Sequence, residues 1–134
     1  MTQRSSQRTK KRDKKAPIYS VVDLETTGTN VNHGDRIIQI GCVLVQDGEI
    51  MNHFETKINP REKIPRSIVQ LTGIEDKDVR KAPLFEDIAG TIYSLLAETT
   101  FVAHNVNFDF PFLNAELERA GYPSLSIPAI DTVT

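Results

Sequence analysis

Cysteine is nearly absent from this 134-residue chain. Cys42 stands alone, so no disulfide can form within it. No apolar run approaches the roughly 20 residues of a membrane span. The first residues have no apolar stretch of the kind a secretory signal requires. These exclusions lead to the expectation of a reducing, cytoplasmic setting. A phosphate-cradling loop of the GxxxxGK[ST] type is also missing, which excludes a P-loop ATPase within these residues. Hydrophobic residues make up 39% and charged residues 25%, the proportions of one ordinary globular domain.

The net charge of −2 conceals an asymmetry. Residues 1–16 hold seven Lys or Arg against one Asp, while residues 17–134 hold nine against seventeen acids. The first segment has no apolar period and is expected to be a disordered basic tail. Such an arm can touch nucleic-acid phosphates or simply keep the chain soluble. The remainder, 17–134, reads as the folded domain. An acidic body that binds a polyanion needs cations to mediate the contact.

The stretch Val21-Val22-Asp23-Leu24-Glu25-Thr26-Thr27-Gly28 organises the chain. Residues 18–23 read as a strand, with Thr and Gly breaking it after Glu25. Asp23 and Glu25 are two apart, so they share one strand face with Cα atoms about 6.6 Å apart. Carboxylates that close repel, and one takes a proton unless a cation lies between them. Oxygen ligands of this kind suit Mg²⁺ or Mn²⁺. A solvated acidic strand end is the simpler reading of this pair alone.

Residues 36–46 (RIIQIGCVLVQ) read as a strand buried on both faces, and Asp47-Gly48 as a hairpin turn into a strand over 50–58. A short helix over 64–73 should close at Gly73, with a helical turn over 75–81. From Pro83, taken as the first helical position, Leu84, Phe85, Ile88, Ala89, Ile92, Leu95 and Leu96 form one stripe. A short strand over 101–103, a helix over 107–120 and a last strand over 129–131 complete the order. Three meandering strands followed by helix, strand, helix, strand predict an α/β domain with a mixed sheet whose later strands are parallel.

His104-Asn105-Val106-Asn107-Phe108-Asp109 joins a strand to a helix. Pro111 should lie in the first helical turn, since deeper it removes a hydrogen bond and clashes. Asn107 then serves as N-cap, and Asp109 stands at the helix N-terminus, where the dipole favours negative charge. Ligands of α/β sheets gather at the carboxyl ends of strands. Asp109 can therefore meet Asp23 and Glu25 at one rim, or it is only a helix-start acid.

VVDLETTG and HNVNFDFPFL, with the intervening Leu71-Thr72-Gly73-Ile74, resemble the 3′–5′ exonucleases that carry four acidic residues and a histidine, the epsilon-type proofreading superfamily. The similarity covers residues 18–134. Within the superfamily, DRIIQIGCVLV and FVAHNVNFDFPFLNAELERAG most resemble the N-terminal exonuclease domain of bacterial DinG-like helicases. The resemblance implies a ribonuclease H-like fold and two divalent ions, Mg²⁺ or Mn²⁺. Asp23 would bridge both ions, Glu25 would bind one and Asp109 the other. Thr26, Thr27 and Gly28 would contact the 3′-terminal nucleotide. Asn105 would orient the site, and His104 would lie among the substrate contacts. Leu24 would fill core or prop the terminal base. The implied partners are single-stranded DNA or DNA 3′ ends, with RNA also open, and a helicase or polymerase portion of the parent protein.

The family's third motif, a histidine five residues before an aspartate on a late helix, has no counterpart in the expected place. His104 and Asp109 share that spacing but already fit the second motif. Asp131 has no histidine at the offset, and His33 and His53 are expected to be exposed. The expectation is an N-terminal fragment lacking its last helices, with an apolar sheet face left open and little activity of its own. Two other readings stay open: a proofreading exonuclease of a replicative polymerase, and a catalytically incomplete binding or tethering module.

Overall fold

The computed structural model describes residues 16–132. Strand β1, Ile18–Thr26, runs down the middle of a five-stranded sheet of order β3-β2-β1-β4-β5. Its neighbour β2, Ile37–Gln46, is antiparallel to it, and β3, Glu49–Lys57, is antiparallel to β2. Asp47 and Gly48 make the connecting turn, with φ of 55° and 77°, the positive pair a two-residue hairpin demands. On the other side β4, Thr100–Ala103, and β5, Ala129–Asp131, pair in parallel. The predicted meander followed by parallel strands is the architecture found.

Four α-helices lie among the described residues. Helix α1, Arg66–Thr72, stops where Gly73 turns left-handed and donates its N–H to the Val69 carbonyl. Helix α2, Asp76–Val79, follows at once. The long helices are α3, Phe85–Leu96, and α4, Val106–Arg119. From α3, Phe85, Ala89, Ile92 and Leu96 enter the main core; from α4, Phe112, Leu113 and Leu117 do so. They meet Val22, Leu24, Ile40 and Phe101 from the sheet.

Four expectations need correction. Strand β1 continues to Thr26, because β2 pairs with it that far. Pro83 lies before α3, not in it; its carbonyl accepts the Asn59 N–H, and Leu84 is the cap. Helix α4 begins at Val106, so the cap is Asn105 in left-handed conformation rather than Asn107. Pro111 is accordingly inside the helix, past its first turn, where its missing N–H leaves the Asn107 carbonyl without that intrahelical donor.

The fourth concerns β2, which is not buried on both faces along its length. Only its start is: the pairing slips between Glu25 and Thr26, so Ile38 becomes an extra residue. Ile37 turns into the main core, while Ile38 joins Ile64, Ile74 and Val79 in a smaller cluster beside α1 and α2. Beyond that bulge, the face opposite α3 and α4 is open among the described residues. Val21 is 42% exposed and Ile130 46%, with Tyr19 beside them. The basic tail expected over 1–16 lies, apart from Ala16, outside the described residues. No helix among the described residues is long and apolar enough to cross a membrane.

Leu113 has no exposed surface and sits where α4 meets the sheet. Leu113→Ala is expected to cost about 2–5 kcal/mol. Urea titration checks this: the midpoint should fall with the slope unchanged.

Candidate active site

Alternation along β1 sends Leu24 into the core and Asp23 and Glu25 to the opposite, open face. Asp23 is exposed and pairs with Gly41, whose missing side chain leaves free space beside it. Glu25 is half-buried, and burial, then the charge of Asp23, raises its carboxyl above the usual range. The turn after β1 is fastened tightly. Thr26 Oγ1 donates to the Gly28 carbonyl at 2.7 Å. The Thr27 N–H donates to the Arg36 carbonyl at 2.8 Å, and the Arg36 N–H donates back to Thr27 Oγ1 at 2.9 Å. That hydroxyl in turn donates to Glu62 Oε2 at 2.9 Å, so Thr27 is buried and fully engaged. Gly28 leaves room for Asp35: a Cβ there would stand 2.4 Å from Asp35 Oδ2 and push that side chain aside.

The third acid arrives from another segment. Asn105, at φ 68° and ψ 59°, turns the chain from β4 into α4. Its N–H donates to Asp131 Oδ1 at 3.1 Å, tying this turn to the end of β5. Asp109 falls in the first turn of α4 and is only 6% exposed. Burial, then the charges of Asp23 and Glu25, push its carboxyl up to about 7. The two segments therefore place three acids in one electrostatic neighbourhood at the carboxyl ends of β1 and β4. Hard oxygen donors are the right chemistry for Mg²⁺ or Mn²⁺. Among the described residues, however, no three His, Cys, Asp or Glu side chains are grouped closely enough to hold an ion as they stand.

The other predicted residues divide. Thr26, Thr27 and Gly28 surround the acids' turn, whereas Leu24 is core, at 7% exposure. His104 and Asn105 are exposed on the turn before α4. His33 bonds Asn30 through Nδ1 in a 3-10 turn, and His53 is exposed on β3. Sequence reasoning missed Glu62, which holds Thr27, and Glu116, which holds Arg36. A charged residue in a helix or loop ordinarily reads as solvent-facing, so neither carried a signal.

Sheet order, one-sided helical cover and coupled acids define the class: an α/β domain with an acidic site at the carboxyl ends of its strands. The RNase T family model, described as "Exonuclease", matches residues 20–134, and the chain belongs to that exonuclease family. It is 42% identical over 115 residues to the 3′-5′ exonuclease DinG of Bacillus subtilis (strain 168), covering 86% of this chain and 12% of that protein. It is 39% identical over 122 residues to the PolC-type DNA polymerase III of Staphylococcus haemolyticus (strain JCSC1435), covering 91% of this chain and 8% of that one. The chain thus spans a small part of the relatives it matches. Among solved structures, exonuclease I in complex with the inhibitor BCBP superposes with a TM-score of 0.77 at 20% identity, covering 86% of this chain and 28% of that one. A zinc-bound form of the E. coli exonuclease I–single-stranded DNA complex gives 0.76 at 20% identity, with the same coverage. These two likenesses establish the shared ribonuclease H-like fold.

The raised Asp109 carboxyl has a consequence for stability. A folded pKa above the ordinary 3.8 means that the folded chain keeps a proton the unfolded chain releases. Its contribution is therefore full below about pH 4 and drains away as pH rises through about 7. Asp109→Asn is neutral at every pH. In metal-free buffer with chelator, its urea midpoint should exceed wild type by more at pH 8 than at pH 5. An equal difference at both pH values would contradict the coupling.

Proposed function

We propose that this chain is a metal-dependent 3′–5′ exonuclease domain that removes nucleoside monophosphates from nucleic-acid 3′ ends. The observation that carries the reading is the coupling of Asp109 to Asp23 and Glu25 across two segments, in a member of the exonuclease family. Asp23, Glu25 and Asp109 would hold two Mg²⁺ or Mn²⁺ ions. Such ions, when bound, supply Lewis-acid stabilisation of the phosphate and lower the pKa of water. The chain's own part is to present and orient. Gly41 leaves Asp23 unobstructed. The Thr26–Gly28 turn, held by Arg36, Glu62 and Asp35, offers backbone groups to the terminal nucleotide. Asn105, fixed through Asp131, sets the start of α4 and with it Asp109. Leu24 supports this surface from beneath rather than touching substrate.

The substrate would be single-stranded DNA or a DNA 3′ end, with RNA also open, since a 2′-hydroxyl contact is what would tell the two apart. The parent would be a cytoplasmic DinG-like helicase–exonuclease, in which residues 17–134 form the nuclease domain behind a basic tail. The match to a PolC-type polymerase favours one second reading, a proofreading domain fused to a replicative polymerase. A general base typically contributes about 10²–10⁴-fold. Of the three histidines only His104 stands five residues before an aspartate, and it is exposed on a turn. Hydrolysis by these 134 residues alone is therefore expected to be weak, and metal uptake is the sharper test. Mn²⁺ titration followed by the EPR signal of free ion should show uptake by wild type. Asp23→Asn should weaken it by at least about tenfold, the loss that even outer-shell partners can cause. Uptake that ignores Asp23, Glu25 and Asp109 alike would leave only a nucleic-acid-binding or tethering module.

A further inference from the structure

Glu116 is the most deeply buried charged side chain among the described residues, at 1% exposure, and the carboxylate chemistry above makes no use of it. It lies two turns after Asp109 on the same buried stripe of α4, with Phe112 and Leu113 between them. Its carboxylate collects four contacts. Oε2 accepts the Ile37 N–H at 2.9 Å, and both oxygens stand 3.1 Å from Arg36 Nε. Arg119 Nη1 approaches Oε1 at 3.3 Å, and its Nη2 donates to the Val31 carbonyl at 3.1 Å.

The backbone of Arg36, one bond away from the Ile37 N–H, is the same backbone that exchanges two hydrogen bonds with Thr27. A short polar path therefore runs from α4 through Glu116 and Arg36 to the turn that follows Asp23 and Glu25. It crosses at the bulge, where the β1–β2 register slips and ordinary ladder pairing no longer fixes geometry. Interdigitated apolar packing already holds the helix here, but the hydrophobic attraction itself has no direction. A buried ion pair is seldom worth more stability than the apolar residues that could replace it. What directional bonds add is a fixed register.

We propose that Glu116 is a positioning residue: its carboxylate sets the seat of α4 against the β1–β2 end so that Asp109 is held beside Asp23 and Glu25. In its consequence for metal uptake, the proposal rests on the reading of the acids as a metal site. Glu116 touches no substrate and is not a ligand.

The test uses the full chain with Glu116→Leu paired with Arg36→Met, which replaces the ion pair by apolar groups of similar volume. Glu116→Gln is a second variant; it keeps the volume but turns one acceptor into a donor facing Arg36 and Ile37. Circular dichroism and urea titration establish that each is folded. Spin labels on cysteines at exposed positions Glu118 of α4 and Glu49 of β3 report the seat of the helix by pulsed EPR. The expected result is one narrow distance in wild type and a shifted or broadened one in the folded variants. Mn²⁺ affinity should fall tenfold or more in the double variant and by less in Glu116→Gln. A folded variant with the wild-type distance and Mn²⁺ affinity within twofold of wild type overturns the proposal, leaving Glu116 a packing residue. If wild type itself takes up no Mn²⁺, the metal-site reading fails on its own, and the label distance alone decides the role of Glu116.

Discussion

The burial of one carboxylate, Asp109, within reach of the charges of Asp23 and Glu25 is the constraint around which the site is built. Asp23 and Glu25 are forced onto one face by the two-residue period of a strand. Asp109 is delivered by a separate strand–helix junction, and burial first, then the charges of Asp23 and Glu25, raise its carboxyl to about 7. Such a grouping costs the folded state free energy as pH rises from about 4 through about 7. The core must supply the difference, and most of the core lies directly beneath: Val22 and Leu24 alternate with the acids, and α3 and α4 close over them. A site that opposes folding is thus mounted on the central strand of the sheet.

Holding the acids together requires fixing two chain turns, each by polar bonds. After β1, Thr27 is gripped by Arg36 and Glu62, and the Asp35 carboxylate occupies the space beside Gly28. Before α4, Asn105 adopts a left-handed conformation that, after glycine, asparagine tolerates better than most residues, and its N–H is taken up by Asp131. The bulge at Ile38 serves both ends. It sends Ile38 to the small cluster that seats α1 and α2, and it exposes the Ile37 N–H to Glu116. Strand irregularity, left-handed turn and buried acid are concentrated within a few residues of the site, as expected where local rules yield to a functional arrangement.

Much of this was legible in the residues. The alternation through VVDLET, the Asp47-Gly48 turn, the stripe on α3 and the glycine closing α1 each follow from local chemistry, and the mixed sheet follows from their order. The motif resemblance led to the exonuclease family that the comparisons then established. Other features could not be read. Pro111 drew the expected helix start too far along the chain, because the rule against internal proline is a cost and not a prohibition; Pro111 itself lies on the exposed side of α4. Residues 36–46 looked doubly buried because β-branched runs carry no record of which face is covered. Glu116 and Glu62 were invisible because their partners, Arg36 and Thr27, are 80 and 35 residues away in sequence.

The central claim is that Asp109 shares one field with Asp23 and Glu25. Carbon-13 NMR titration of the Asp109 carboxyl, in wild type and in Asp23→Asn without divalent ions, measures this directly. The account predicts a wild-type midpoint near 7 that falls clearly when the Asp23 charge is removed. A wild-type midpoint in the ordinary carboxylate range, unmoved by that substitution, would contradict it.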